Sequence, residues 1–217
     1  MKILAFTDIH GAYKKVEEII KSELADVVII GGDLTNVGSV KEADRVIESF
    51  TRLSKNLFCI AGNMDLPQHD ELYLNKSIGL NGNGIVVQDI GFFGVSGSSY
   101  TSLNTPYEIS EETIADKIIE GYTKVKDAKI KILISHTPPY GTKVDIIRMG
   151  IHVGSTAVRE FTDDYQPDVV VCGHIHEARG QDVIAKTKIV NCGPASRGYY
   201  VVIDINDNID ILMKEKR

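Results

Sequence analysis

Only three cysteines occur in the 217 residues, Cys59, Cys172 and Cys192, far apart and each in or beside an apolar segment. An odd number without paired spacing excludes a disulfide framework and a thiolate zinc knuckle, and predicts buried, reduced thiols. Long hydrophobic runs are missing as well, because no stretch approaches the roughly 20 apolar residues of a membrane-spanning helix. The segment Met1 to Asp8, one lysine and an apolar run broken by the aspartate, is too short for a signal-peptide core. Basic excess is also lacking. With 24 Lys/Arg against 30 Asp/Glu and a formal charge of −6, the chain is poorly suited to coating nucleic acid or an anionic membrane. Low-complexity tracts, linkers and internal repeats are absent. What is present is ordinary for a soluble protein, 43% hydrophobic and 25% charged residues. The expectation is one domain over residues 1–217 in the cytoplasm.

Short apolar or β-branched runs recur at Ile3–Phe6, Val27–Ile30, Leu57–Ile60, Ile132–Ile134 and Val169–Cys172. Continuously apolar stretches of this length suit strands buried on both faces. Amphipathic patterns lie between them. Ser39 with Glu42 is a capping-box pair, followed by Val40, Ala43, Ile47 and Phe50 at helical spacing. Tyr13, Val16, Ile19 and Ile20 mark a helix in the first crossover; others follow Ser110 (Ile114, Ile118, Tyr122) and Ser155 (Val158, Phe161, Tyr165). Residues 81–100 read as a turn and two short strands, and hairpin-prone strands recur after residue 180. The class is α/β, with mixed rather than purely parallel sheets. Residues 96–109 form the longest loop candidate, and loops of that length are often functional.

The informative residues stand immediately after the apolar runs. The five runs lead into Thr7-Asp8-Ile9-His10, Gly31-Gly32-Asp33, Gly62-Asn63-Met64-Asp65, Ser135-His136 and Gly173-His174-Ile175-His176. Each strand therefore delivers a carboxylate, amide or imidazole just past its C-terminal end, the edge where open α/β sheets bind ligands. Asp-x-His and His-x-His place two side chains on the same side of extended chain, since strand side chains repeat with period two. Four of the six histidines fall at these positions. One such residue alone would be a cap or a surface group; five coincident motifs point to metal.

Asp8, His10, Asp33, Asn63, His136, His174 and His176 offer three oxygen donors and four imidazoles without a thiolate. That set suits Mn, Fe, Zn, Co or Ni as divalent ions. Seven ligands exceed one site that keeps an open position, and fit two ions about 3.5–4 Å apart with a shared carboxylate. Two carboxylates against two divalent ions leave positive charge that a phosphate ester and a hydroxide would offset. Metal-assisted hydrolysis of a phosphate ester is the reaction class this chemistry implies.

In this order, Asp-x-His, Gly-Asp, Gly-Asn-x-Asp, a strand-end His and Gly-His-x-His, the chain resembles the calcineurin-like metallophosphoesterase superfamily. The motifs span residues 8–176, and Asn191 to Ser196 resembles the family's C-terminal part. Gly173-His174-Ile175-His176-Glu177 and His152-Val153-Gly154-Ser155 resemble its branch of predicted phosphoesterases related to cyclic-AMP phosphodiesterase. The resemblance implies a four-layer αββα sandwich. It also implies Asp8, His10 and His176 on one metal, Asn63, His136 and His174 on the other, Asp33 bridging, and a metal-bridging hydroxide attacking phosphorus.

One position departs from that pattern. Many members carry a histidine after Gly-Asn that is thought to protonate the leaving group; here it is Met64, whose thioether donates no proton. His152, just before a helix start at Gly154-Ser155, is the substitute proton donor or substrate contact to be tested. Arg179 and Arg197 are open to a phosphate or a surface role, Tyr100 to Tyr107 to a cap over substrate, and His69 is expected at the surface. Gly91 to Gly97 lacks the ending of a phosphate-binding loop and reads as a strand-to-loop turn. The expected partner is a small phosphate ester, nucleotides among the candidates, with neither membrane nor extended nucleic acid. Oligomeric state leaves no mark. The leading reading is a phosphodiesterase; a monoesterase or nucleotide pyrophosphohydrolase with the same site, and a non-catalytic metal-binding scaffold, stay open beside it.

Overall fold

The computed structural model describes residues 1–216. In chain order the elements are β1 (Lys2–Phe6), α1 (Tyr13–Glu23), β2 (Val27–Gly31), α2 (Val40–Leu53), β3 (Leu57–Ile60), α3 (Gln68–Asn75), β4 (Gly84–Val87) and β5 (Ile90–Val95). Next come β6 (Ser98–Ser99), β7 (Glu108–Ile109), α4 (Glu111–Val125), β8 (Ile130–Ser135), α5 (Thr156–Tyr165) and β9 (Val169–Cys172). The chain closes with β10 (Gly180–Ile184), β11 (Thr187–Asn191), β12 (Tyr199–Ile205) and β13 (Ile209–Glu215).

Two sheets carry the fold. One has the order β13-β12-β1-β2-β3 and the other β10-β11-β9-β8-β5-β4. β1, β2 and β3 run parallel, as do β5, β8, β9 and β11, while β12, β13, β4 and β10 join antiparallel. The mixed α/β class holds. Three hydrophobic clusters fill the gaps between four layers. Leu4, Phe6 and Ile30 pack on Val16, Ile19 and Phe50 of the first helical layer. Their neighbours Ile3, Ala5 and Ile29 turn the other way, onto Phe92, Ile132 and Val171 of the second sheet. Leu133 and Val170 cover the far side with Ile118 and Phe161 of α4 and α5. This alternation explains why the strands read as unbroken apolar runs: both faces of each central strand are core.

The capping residues act as their spacing predicts. Ser39 accepts from the Glu42 amide at 3.2 Å, Ser110 from Thr113 at 3.1 Å and Ser155 from Val158 at 3.2 Å, each satisfying an amide left unpaired in the first helical turn. Cys59, Cys172 and Cys192 are free and buried. The two short strands expected within residues 81–100 are β4 and β5, and only the strand-to-loop turn expected across Gly91–Gly97 is narrower than the sequence suggested. Residues 91–95 belong to strand β5, fully buried, and the turn begins only at Gly97, with φ +75°. Among the described residues no helix is long and apolar enough to cross a membrane.

Candidate metal centre

β1, β2, β3, β8 and β9 all end at one edge, and their C-terminal turns bring the seven predicted residues together. Four of the seven, Asp8, His10, Asp33 and His174, have φ between 47° and 65°. Left-handed backbone is uncommon outside glycine, although Asp and His enter it more readily than most residues. The chain leaves each strand sharply enough to aim the next side chain back at the edge. Backbone bonds hold these turns: the Asp8 amide donates to Gly32 O at 3.0 Å and the His10 amide to Asp33 O at 3.0 Å. Gly32 and Gly62 allow the close approach. A Cβ on Gly62 would collide with the Asp33 carboxylate and amide, and one on Gly32 with the His136 ring.

Among the described residues two groups of donor atoms form. Asp8, His10 and His176 make one, and Asp8, Asp33 and His136 the other, all atoms within 4.8 Å of one another in each group. His10 Nε2 faces His176 Nε2 at 3.5 Å, and His176 Nε2 lies 3.2 Å from Asp8 Oδ1. Asn63 Oδ1 stands between His136 Nε2, at 3.0 Å, and His174 Nδ1, at 2.8 Å. Asp33 Oδ2 lies 3.6 Å from His10 Nε2 and 3.5 Å from His136 Nε2, between the two groups, while its Oδ1 accepts the Met64 amide at 2.8 Å. Asp8 is shared as well, so both carboxylates reach both halves.

Electrostatics agree with a cation-binding role. Burial opposes ionisation of Asp8, yet the hydrogen bond from His176 and the charges of His136 and His176 hold its carboxyl well below the usual range. Burial likewise disfavours protonated His136, but the Asp33 and Asp8 charges push its pKa up to about 9. The carboxylates thus create a strong local demand for positive charge, the condition that favours divalent cations. His174 is pushed down to about 4 by burial and by the charge of His136, which keeps its imidazole neutral as ligation requires. His136 Nδ1 lies 3.0 Å from Gly31 O, an arrangement that directs Nε2 to the site. Facing nitrogens and oxygens, convergent around two buried carboxylates, fit two divalent ions.

Asp65 stands in the Gly-Asn-x-Asp motif, where its sequence context assigns it no role. It is fully buried. Its Oδ2 accepts the amides of Leu34 and Gly62, both at 3.0 Å, and its Oδ1 the amide and hydroxyl of Thr35, both at 2.8 Å. One carboxylate therefore ties the β2 turn carrying Asp33 to the β3 turn carrying Asn63. The Asp after Gly-Asn-x was the available signal. His69, expected at the surface, is fully buried, its Nδ1 3.6 Å from Asp65 Oδ1; α3, a helix without a clear periodic pattern in the sequence, carries it inward.

The remaining candidates separate. His152 sits in the long loop between β8 and α5, its Nδ1 2.7 Å from Asp145 Oδ1. Asp145 is buried and also accepts the amides of Gly141, Thr142 and Gly154. The loop leaves β8 directly after His136, and the Arg148 amide donates to Glu177, next to His176. Arg179 does not offer its guanidinium to the centre: it stacks 4.2 Å above Tyr199 and donates to Cys192 O and Lys214 O. Arg197 is exposed. Tyr107 borders the centre, its amide donating to Asn63 O at 3.1 Å and its hydroxyl to Asp70 at 2.7 Å.

The family model for calcineurin-like phosphoesterases matches residues 1–178. An uncharacterized protein of Methanocaldococcus jannaschii is 36% identical, the match covering 98% of this chain and 95% of that protein. A UPF0046 protein of Caenorhabditis elegans is 26% identical, over 91% of this chain and 71% of its own length. Among solved structures, a Thermus thermophilus protein superposes with a TM-score of 0.77 at 16% identity, covering 99% of this chain and 98% of that one. A dimetal phosphatase from Danio rerio does so at 0.63 and 10%, over 99% and 95%. At these identities the two structures speak for the fold.

Proposed function

The chain belongs to the calcineurin-like phosphoesterase family, and from the geometry of its site we propose that it is a dinuclear phosphodiesterase. The carrying observation is the placement of Asp33 Oδ2 between His10 and His136, 3.6 and 3.5 Å away, with the other ligands gathered on either side. Asp8, His10 and His176 would hold one ion, Asn63, His136 and His174 the second, and Asp33 would bridge them. Bound there, two divalent cations would supply an activated water and offset charge on the phosphoryl oxygens. Manganese is our choice for reconstitution, since the mixed oxygen and imidazole set accepts it.

A diester is favoured over a monoester by the commitment of Arg179 to Tyr199 and backbone carbonyls. Of the two arginines that the sequence offered for gripping a second phosphoryl charge, Arg179 is occupied elsewhere and Arg197 is exposed. His152 is our proton donor for the leaving oxygen, in place of the histidine that Met64 replaces. Asp145 accepts from its Nδ1 and so keeps Nε2 available, the same division of labour that a buried carboxylate performs for other catalytic imidazoles. The three buried, unpaired thiols suit a reducing, cytoplasmic setting.

The test is hydrolysis of bis(p-nitrophenyl) phosphate beside p-nitrophenyl phosphate, on protein stripped by chelator and reloaded with Mn²⁺. Activity that returns with metal and favours the diester is expected. Monoester preference would keep the site and overturn the diester assignment. Bound metal with no activity on either ester would instead point to a binding scaffold.

A further inference from the structure

Exposed large apolar side chains are not spread evenly over this molecule. Val37, Tyr100, Leu103, Met149, Ile151 and Val153 all lie on three loops at the ligand-bearing edge, following β2, β6 and β8. The others away from this edge stand singly on separate elements, as is normal for a protein surface.

Each of the three loops is bonded to a ligand or its neighbour. The Val37 amide donates to Met64 O at 2.8 Å, beside Asn63. The second loop donates to Asn63 O through Tyr107, and Gly97, just before β6, donates to Ala61 O. The third is joined to Glu177, beside His176, through Arg148. The three loops that carry these apolar side chains are therefore anchored beside the candidate ligands.

Their presentation is built into the loops. Glu108 accepts from the amides and hydroxyls of both Thr101 and Thr105, closing the second loop with Leu103 at its apex, 77% exposed. In the third, Ile147 bonds to Ile151 and Gly150, leaving Met149 at the apex, 80% exposed. Turn apices ordinarily carry Gly, Asn, Asp or Ser. Val37 adds an independent sign. It is β-branched, exposed and held at φ +55°, a conformation such side chains rarely occupy and one that marks stored strain at functional sites.

Resting on the phosphoester reading above, we propose that these loops form a rim, a binding surface for an apolar group on the substrate: the centre takes a phosphate ester whose organic part is an alkyl chain or aryl ring, seated among Val37, Leu103 and Met149. The ester oxygens face the ligand cluster while the hydrocarbon covers side chains that otherwise face water.

The experiment is calorimetric titration of the Mn²⁺-loaded protein with methyl phosphate and with hexyl phosphate. A methylene half buried at an open rim is worth about twofold in affinity, so hexyl phosphate should bind on the order of thirtyfold more tightly. Leu103→Ser combined with Met149→Ser should bring that ratio down to about fivefold or less, whereas Val183→Ser, at an exposed site on β10, should leave it unchanged. Val37→Asn should lower the ratio without lowering thermal stability, because Asn tolerates left-handed backbone. Equal affinities for the two phosphates, or a ratio that survives the double substitution, would overturn the apolar rim while leaving the phosphoester reading in place. Binding of neither phosphate to metal-loaded protein would overturn both. Loss of a dimer in the double variant, seen by sedimentation together with an unchanged ratio, would assign the rim to a second copy instead.

Discussion

Asp65→Asn is the perturbation that tests how the centre is assembled. The carboxylate accepts four bonds, from the amides of Leu34, Gly62 and Thr35 and from the Thr35 hydroxyl, at 2.8–3.0 Å. The carboxamide is nearly isosteric, but one of its two ends is a donor. With the amide group at Oδ2 it faces the Leu34 and Gly62 N–H groups; flipped, it faces the Thr35 amide and hydroxyl. Either orientation strands two donors, or one where the Thr35 hydroxyl rotates away. Each buried, unpaired donor costs about 1–3 kcal/mol, and hydrogen bonds to a charged acceptor are the stronger kind. The expected destabilisation is therefore about 2–5 kcal/mol. For a chain of this size that is roughly 5–15 °C in Tm. Because the broken bonds join the turns that carry Asp33 and Asn63, Mn²⁺ affinity should fall as well, by about tenfold or more, the range found when groups behind metal ligands are removed. Urea unfolding measures the first and metal titration the second. A variant within about 0.5 kcal/mol of wild type, with unchanged Mn²⁺ affinity, would refute the role given to Asp65; lost stability with intact affinity would make it a core residue only.

Other sites carry expected outcomes of their own. His152→Ala should lower kcat/KM about a hundredfold or more on an alkyl diester and far less on a p-nitrophenyl ester, whose leaving group needs little protonation; an equal loss on both, or an unchanged basic limb of the pH–rate profile, would remove His152 as the donor. Gly62→Ala sets a Cβ into the Asp33 carboxylate, and should cost on the order of a hundredfold in activity through misplaced ligands, which activity together with metal titration would check. Burial alone would raise the pKa of Glu23, but bonds from Lys2, Lys214 and Tyr200 lower it from 4.5 to about 2. Its contribution is then complete above about pH 4.5 and lost as pH falls through about 2. After solvent screening that amounts to about 1–2 kcal/mol. Urea midpoints of Glu23→Gln should accordingly fall less steeply across this interval than those of wild type, and parallel curves would contradict the assignment.

Local chemistry made much of this protein legible before its tertiary structure. The five central strands could be read because both faces of each meet a core, so Val27–Ile30 or Val169–Cys172 carry no polar interruption, and Ser39, Ser110 and Ser155 announce helix starts through their own backbone bonds. The candidate ligands were legible from their positions: one Asp, Asn or His directly after a buried strand reads as a cap or surface group, but seven such residues at five strand ends point to one site. Other features depend on partners distant in the chain. His69 has no local signal of burial, since only the packing of α3 brings it beside Asp65. Arg179 reads as a free cation until Tyr199, Cys192 and Lys214, from other segments, surround it. The union of two turns by Asp65 and the placement of Asp33 between His10 and His136 are relations among separate strands. Sequence by itself determined which residues stand at strand ends; the order and register of the strands decided which of them meet.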